Sequence, residues 1–170
     1  MNNLKISLIV AVSIDGRIAG YSGHTSDWTS KEDKDILHAM LDKSDCVVVG
    51  RKTYEIAREP LSKRTCIVFT RSGNKSDTGV VYFDPAKQDF FAFVKGKGYT
   101  SIAVLGGTEV YTYFLENNLC TDLYLTIEPV VFGMGLPFFK TEKFDMKNFH
   151  LQSSQLLNSQ GSILLHYTAQ

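Results

Sequence analysis

The chain has little of what would set it apart from an ordinary globular domain. Cysteine occurs three times in 170 residues, at Cys46, Cys66 and Cys120, with no Cys-x-x-Cys pair. An odd, widely spaced set argues against a disulfide framework and a structural zinc site. Cys46 and Cys66 lie in β-like runs and read as small buried hydrophobes, and the expected compartment is the reducing cytoplasm. Proline is scarce, at 4 residues, and no stretch reads as a linker. No charge of one sign dominates, since 18 Lys plus Arg balance 18 Asp plus Glu. A general nucleic-acid binder shows a basic excess that neutralises phosphates, and none is present. No apolar run reaches the roughly 20 residues that span a bilayer. The longest early run, Ile6 to Val12, leads into Asp15-Gly16-Arg17 rather than a small-residue cleavage site. It therefore reads as a first core strand, not a signal peptide. The four histidines, His24, His38, His150 and His166, show no ligand spacing, so no metal is expected.

What is present is alternation. Short β-branched runs at Lys5–Ser13, Cys46–Val49, Thr65–Thr70, Val80–Phe83, Ser101–Leu105 and Asp122–Glu128 read as strands. Between them, Ile36, Leu37, Met40 and Leu41 repeat at helical spacing. So do Ala86, Phe90, Phe93 and Val94, and then Val110, Tyr113 and Phe114. Ser30 with Asp33 forms a capping-box-like start to the first helix. Two late runs, Phe149–Leu157 and Ser162–Thr168, flank a turn at Asn158–Gly161 and predict a C-terminal hairpin. A chain of this size buries about 70% of its extended surface, so one domain over 1–170 is expected. Alternating strands and helices predict an α/β fold whose central sheet is mostly parallel, with the hairpin as an antiparallel edge. Ligands of such sheets sit at the carboxyl ends of the strands.

Two strands there run directly into glycine and then a helix: Val47-Val48-Val49-Gly50-Arg51-Lys52-Thr53 and Ala103-Val104-Leu105-Gly106-Gly107-Thr108-Glu109. Glycine lets a phosphate approach the backbone, and a helix N-terminus offers unpaired N–H groups and a partial positive charge. Two such ends side by side suit a pyrophosphate; taken singly, each glycine also reads as a tight strand-to-helix turn. Neither site is a P-loop, because Arg51 follows Gly50 and Asp45 stands where the first glycine is needed. Gly-x-Gly-x-x-Gly is absent as well. Arg51 and Lys52 at one helix start, with Arg71 after the next strand, suit the ribose 2′-phosphate that separates NADP from NAD.

Together these residues resemble the dihydrofolate reductase superfamily. The signatures are Gly50-Arg51-Lys52-Thr53-Tyr54-Glu55 with Pro60-Leu61, Leu105-Gly106-Gly107 with Val110-Tyr111, and Leu123-Tyr124-Leu125-Thr126. Ser13-Ile14-Asp15-Gly16, Ile127-Glu128-Pro129-Val130 and Gly133-Met134-Gly135-Leu136-Pro137 are similar to the reductases of riboflavin biosynthesis and their small single-domain relatives. Leu105 departs from that branch, which usually carries glutamate there. The resemblance implies a three-layer α/β/α fold and NADPH across the carboxyl edge of the sheet. Gly50, Arg51, Lys52 and Thr53 would hold one end of the pyrophosphate, and Leu105 to Val110 the other, through Gly106, Gly107, Thr108 and Glu109. Thr70, Arg71 and Ser72 would flank the adenine and 2′-phosphate, and Ala11 and Ile18 would line the nicotinamide.

Hydride transfer from such a cofactor needs alignment and a dry site rather than a protein nucleophile. The expected activity is NADPH-dependent reduction of a pyrimidine or pterin-like molecule, of the 5-amino-6-(5-phosphoribosylamino)uracil reductase type. Asp15 is the first candidate for substrate contact or proton delivery, and it also reads as an Asp-Gly turn. Thr126 is placed to bond a substrate ring, and Trp28 to cover the nicotinamide side of the cleft. Dihydrofolate reductases carry a carboxylate five residues past a tryptophan, which here is Asp33, and an arginine for the folate tail, which matches Arg64. As a substrate pair these two define a dihydrofolate reductase alternative; within the charge run Lys31 to Asp35, Asp33 reads first as a helix cap, because carboxylates favour first turns. A non-catalytic NADPH-binding protein and a structural domain complete the alternatives. The Phe132–Phe139 stretch and the hairpin strands offer an apolar edge for a homodimer.

Overall fold

The computed structural model describes residues 4–72, 78–143 and 145–170. In chain order the elements are β1 (Lys5–Ser13), β2 (Arg17–Ala19), α1 (Lys31–Asp42), β3 (Cys46–Gly50), α2 (Arg51–Ile56), α3 (Arg58–Leu61), β4 (Cys66–Phe69) and β5 (Val80–Phe83). Then follow α4 (Phe90–Lys97), β6 (Ser101–Val104), α5 (Thr108–Glu116), β7 (Asp122–Glu128), β8 (Leu136–Pro137), β9 (Phe149–Leu156) and β10 (Ile163–Ala169).

Eight strands form one sheet in the order β5-β4-β3-β6-β1-β7-β10-β9. The first six run parallel, and β10 and β9 close the other side antiparallel. Both faces are covered, which is why β3, β4 and β6 carry continuous apolar runs with no polar alternation. On one face α4 and α5 press Phe90, Val94, Val110 and Phe114 against Leu8, Val10, Ile67 and Val104. Phe69, Phe83, Phe90 and Phe114 interlock there, with ring centroids 4.9–5.8 Å apart. On the other face α1, α2 and α3 bring Leu37, Leu41, Tyr54 and Leu61 onto Val47, Val49, Val68 and Ala103. The three-layer α/β/α fold is thus the observed one, with the antiparallel hairpin at the edge.

One local reading is corrected. The second amphipathic helix starts at Phe90, not near Ala86, because Asp89 caps it through Ala92 N at 2.6 Å. Ala86 sits in a turn held by Asp84. The strands β2 and β8 also pair, and at three and two residues they are too short for a period to mark them in sequence.

Candidate active site

The two glycine junctions end adjacent strands, β3 and β6, and therefore meet. Gly50 N donates to Gly106 O at 2.7 Å. The contact needs bare backbone: a Cβ on Gly50 would lie 3.3 Å from Val110 Cγ2, and one on Gly106 would lie 2.4 Å from the Tyr111 ring. Gly106 also has φ +87°, a left-handed value that favours glycine, and its bond to Gly107 is cis. A Cβ on Gly107 would approach Thr53 Oγ1 at 3.5 Å and Ile18 Cδ1 at 3.9 Å, so Ile18, Thr53 and Gly107 share one spot.

The helix starts differ in a telling way. Ser30 caps α1 and Asp89 caps α4 with a side-chain oxygen. The N-caps of α2 and α5 are Gly50 and Gly107, which have no side chain to cap with. Two neighbouring helix N-termini thus keep backbone donors available for an anion. Arg51 Nη1 reaches Ser72 Oγ at 3.4 Å, and Ser72 Oγ lies 3.1 Å from Thr70 Oγ1, so a basic and hydroxyl-rich patch stands beside α2 at the end of β4. Arg71 and Lys52 are exposed at this edge, and Glu109 is exposed at the start of α5. Thr108 Oγ1 donates to Pro137 O at 2.6 Å and fastens α5 to β8. Leu105 turns toward the apolar layer under α1 and α2. This glycine cradle, its uncapped N–H groups and its flanking cations fit a dinucleotide phosphate.

Beside it, the ends of β1 and β7 form a second wall. Ala11 pairs with Thr126, and Ser13 with Glu128. Asp33, in the first turn of α1, faces the hydroxyls of Thr126 and Thr29. Its own N–H is bonded to Ser30 Oγ at 3.3 Å. The spacing therefore correctly located a cap at Ser30, but the Asp33 side chain turns into the sheet and does not close a capping box. The backbone N–H that it would have bonded is taken at 2.8 Å by Glu128, 98 residues away. Burial pushes the Asp33 carboxyl above its ordinary value, and the charge of Glu128 adds to the shift. Tyr111 from α5 closes this region, buried, its hydroxyl donating to Ile9 O at 2.6 Å.

Asp15 is used differently. It accepts from Ser13 Oγ at 2.7 Å, Phe132 N at 3.1 Å and Gly133 N at 2.9 Å. These hydrogen bonds, that of Ser13 foremost, hold its pKa at about 2. It is an anion at neutral pH and a clamp on the 132–133 loop, which is a poor basis for proton delivery. Phe132 on that loop meets Trp28 edge-on with centroids 4.9 Å apart, so Trp28 lies against the lip of the site. Arg64 is not brought to Asp33. Its guanidinium pairs with Asp42 and the Pro60 carbonyl, at the far end of α1. Sequence reasoning gave Glu128 and Phe132 no part in the site and read Ser30 only as a helix cap. For Glu128 a signal existed: Asp122, Tyr124, Thr126 and Glu128 alternate along β7 and share one face.

No helix among the described residues is long and apolar enough to cross a membrane, and no group of His, Cys, Asp or Glu among them is arranged to hold a metal. A sequence model of the RibD C-terminal domain matches residues 5–162. The protein YwjB of Bacillus subtilis is 31% identical over 144 residues, covering 79% of this chain and 82% of that one. Dihydrofolate reductase type 1 of Escherichia coli is 32% identical over 113 residues, covering 66% and 69%. Among solved structures, RibD of Acinetobacter baumannii superposes with TM-score 0.80 at 17% identity, over 98% of this chain and 58% of that one. A pyrimidine reductase-like protein of Corynebacterium diphtheriae superposes with TM-score 0.76 at 18% identity, over 99% and 93%. Fold, glycine cradle and a match along nearly the whole length agree, and the chain belongs to the RibD C-terminal domain family.

Proposed function

We propose that this protein is an NADPH-dependent reductase of a pyrimidine or pterin-like small molecule, of the 5-amino-6-(5-phosphoribosylamino)uracil reductase type. The observation that carries the reading is the meeting of Gly50 and Gly106 at 2.7 Å beneath two uncapped helix starts. When bound, NADPH supplies the hydride. Gly50, Thr53, Gly106, Gly107, Thr108, Glu109 and Val110 form the pyrophosphate cradle. Arg51, with Lys52, Thr70, Arg71 and Ser72, takes the 2′-phosphate, and Ala11 and Ile18 line the nicotinamide. Thr126 and Asp33 read the N–H edge of the substrate ring. Asp33 is the proton-holding group, because burial favours its neutral form while Asp15 stays ionised. Asp15 acts on substrate through the loop it clamps, and Trp28 with Phe132 shields the cleft from water.

The three cysteines are free and buried, which supports a cytoplasmic place of work. A homodimer through β9 is part of the reading. That strand ends the sheet, and residues 149–170 contain no Lys, Arg, Asp or Glu. Charge depletion marks interface cores, and edge strands that stay alone normally carry charge.

A second reading, dihydrofolate reduction, is favoured by the Asp33 carboxyl facing Thr126 and by the likeness to dihydrofolate reductase type 1. The test is NADPH consumption with the ribosylaminopyrimidine phosphate and, in parallel, with dihydrofolate. Turnover of the pyrimidine is the expected result and shows that Leu105 substitutes for the usual glutamate. Turnover of dihydrofolate alone transfers the assignment to the second reading. NADPH binding without turnover of either refutes both substrates.

A further inference from the structure

Glu128 is the most buried charged residue among those described, 2% exposed, and the reading above assigns it no part in the reaction. It ends β7 on the same face as Thr126. Its Oε1 accepts the N–H and the hydroxyl of Ser30, both at 2.8 Å, and its Oε2 accepts the hydroxyl of Ser162 at 2.5 Å. Ser30 is the N-cap of α1, three residues before Asp33. Ser162 precedes β10 and receives a hydrogen bond at 3.0 Å from Asn158, the residue that organises the hairpin turn. A buried carboxylate is costly unless donors and a helix N-terminus offset it. Both are present, at the point where α1, β7 and the hairpin meet.

We infer that Glu128 is the positioning residue of this site. Through Ser30 it locks the first turn of α1 onto the end of β7, so that the Asp33 carboxyl stays on Thr126; through Ser162 it makes that alignment depend on the C-terminal hairpin. The inference rests on the reading of Asp33 as the proton-holding group. Asp33 is faced by Glu128 from β7, by Lys34 on its own helix and by Tyr111 from α5. Burial first, then the charge of Glu128, oppose its ionisation; the Thr126 and Thr29 hydroxyls and Lys34 favour it.

The experiment is a carboxyl-carbon NMR titration of Asp33 in the full chain, wild type against Glu128→Gln, with Asp33→Asn assigning the resonance. NADPH oxidation with whichever of the two substrates turns over is measured beside it. Glutamine keeps the shape and an acceptor for Ser30 but removes the charge. The expected result is an Asp33 midpoint lowered by about one unit. The pH above which kcat falls drops with it, while KM for NADPH is unchanged. A midpoint that stays put in folded Glu128→Gln overturns the inference. Ser162→Ala removes a single hydrogen bond and serves if Glu128→Gln does not fold. It is expected to move the Asp33 resonance and lower kcat severalfold. If only Tm falls, the hairpin has no hold on the site and the inference is overturned in that part. Wild-type turnover by Asp33→Asn alongside a shifted midpoint refutes the proton role of Asp33 and leaves the control exerted by Glu128 standing.

Discussion

Arg51 and Asp15 show how one charged side chain can serve opposite ends. Arg51 is exposed and lies over Ser72, beside two uncapped helix starts, where a 2′-phosphate would complete its hydrogen bonding. A charge-assisted hydrogen bond contributes about 1.5–3 kcal/mol, so Arg51→Ala should weaken NADPH about tenfold or more and NADH little, read by titration calorimetry with both dinucleotides. Equal losses would remove the 2′-phosphate role. Asp15 is held at about 2, below its ordinary 3.8, by donors that exist only in the folded chain. Its contribution to stability is therefore present above pH 3.8 and is lost as pH falls toward about 2. Asp15→Asn should lower Tm at neutral pH, and the gap from wild type should close across that window. A gap that persists at pH 2 would mean that the clamp does not depend on charge.

At the scale of elements, the strand–glycine–helix junction is the unit that does the work. Its glycines are required for two separate reasons. Gly50 must let backbone approach backbone, and Gly106 must take a left-handed turn against the Tyr111 ring. Gly106→Ala puts a methyl group where 2.4 Å is open and forces an unfavourable φ. Strain and overpacking together should cost about 2–4 kcal/mol, measured by urea unfolding, with NADPH binding lost in parallel. Unchanged stability would show that Tyr111 yields easily. These junctions were legible in the sequence, because strand period, glycine and a following apolar helical repeat are all local. The first turn of α1 was half legible. Ser30 stood out as a cap, but the direction of the Asp33 side chain depends on Thr126 and Glu128, which no local rule connects to it.

At the scale of the whole molecule, the sheet has two unlike edges. β5 is half-buried, while β9 is exposed along nearly its whole length and uncharged. Leu151 and Leu156 are 47% and 65% exposed on it. A second copy pairing there would bury them and extend the sheet across a two-fold axis. Wild type should run as a dimer in light scattering, and Leu151→Lys with Leu156→Lys should halve the mass without unfolding the monomer. A monomeric wild type would remove the homodimer.

The sequence by itself determined the α/β class, strands β1, β5 and β7 to the residue, the helix cap at Ser30, and which glycines stand at the carboxyl edge. Propensity, period and glycine geometry act over a few neighbouring residues, and those features need nothing more. Only the tertiary structure decided that Gly50 meets Gly106, that Asp33 faces Thr126, that Asp15 is spent on a loop 117 residues away, and that Arg64 serves Asp42 instead of joining Asp33. Each of these is a contact between chain segments far apart in sequence. Strand order and register bring them together, and a side chain takes its partner and its proton affinity from whatever the fold places beside it.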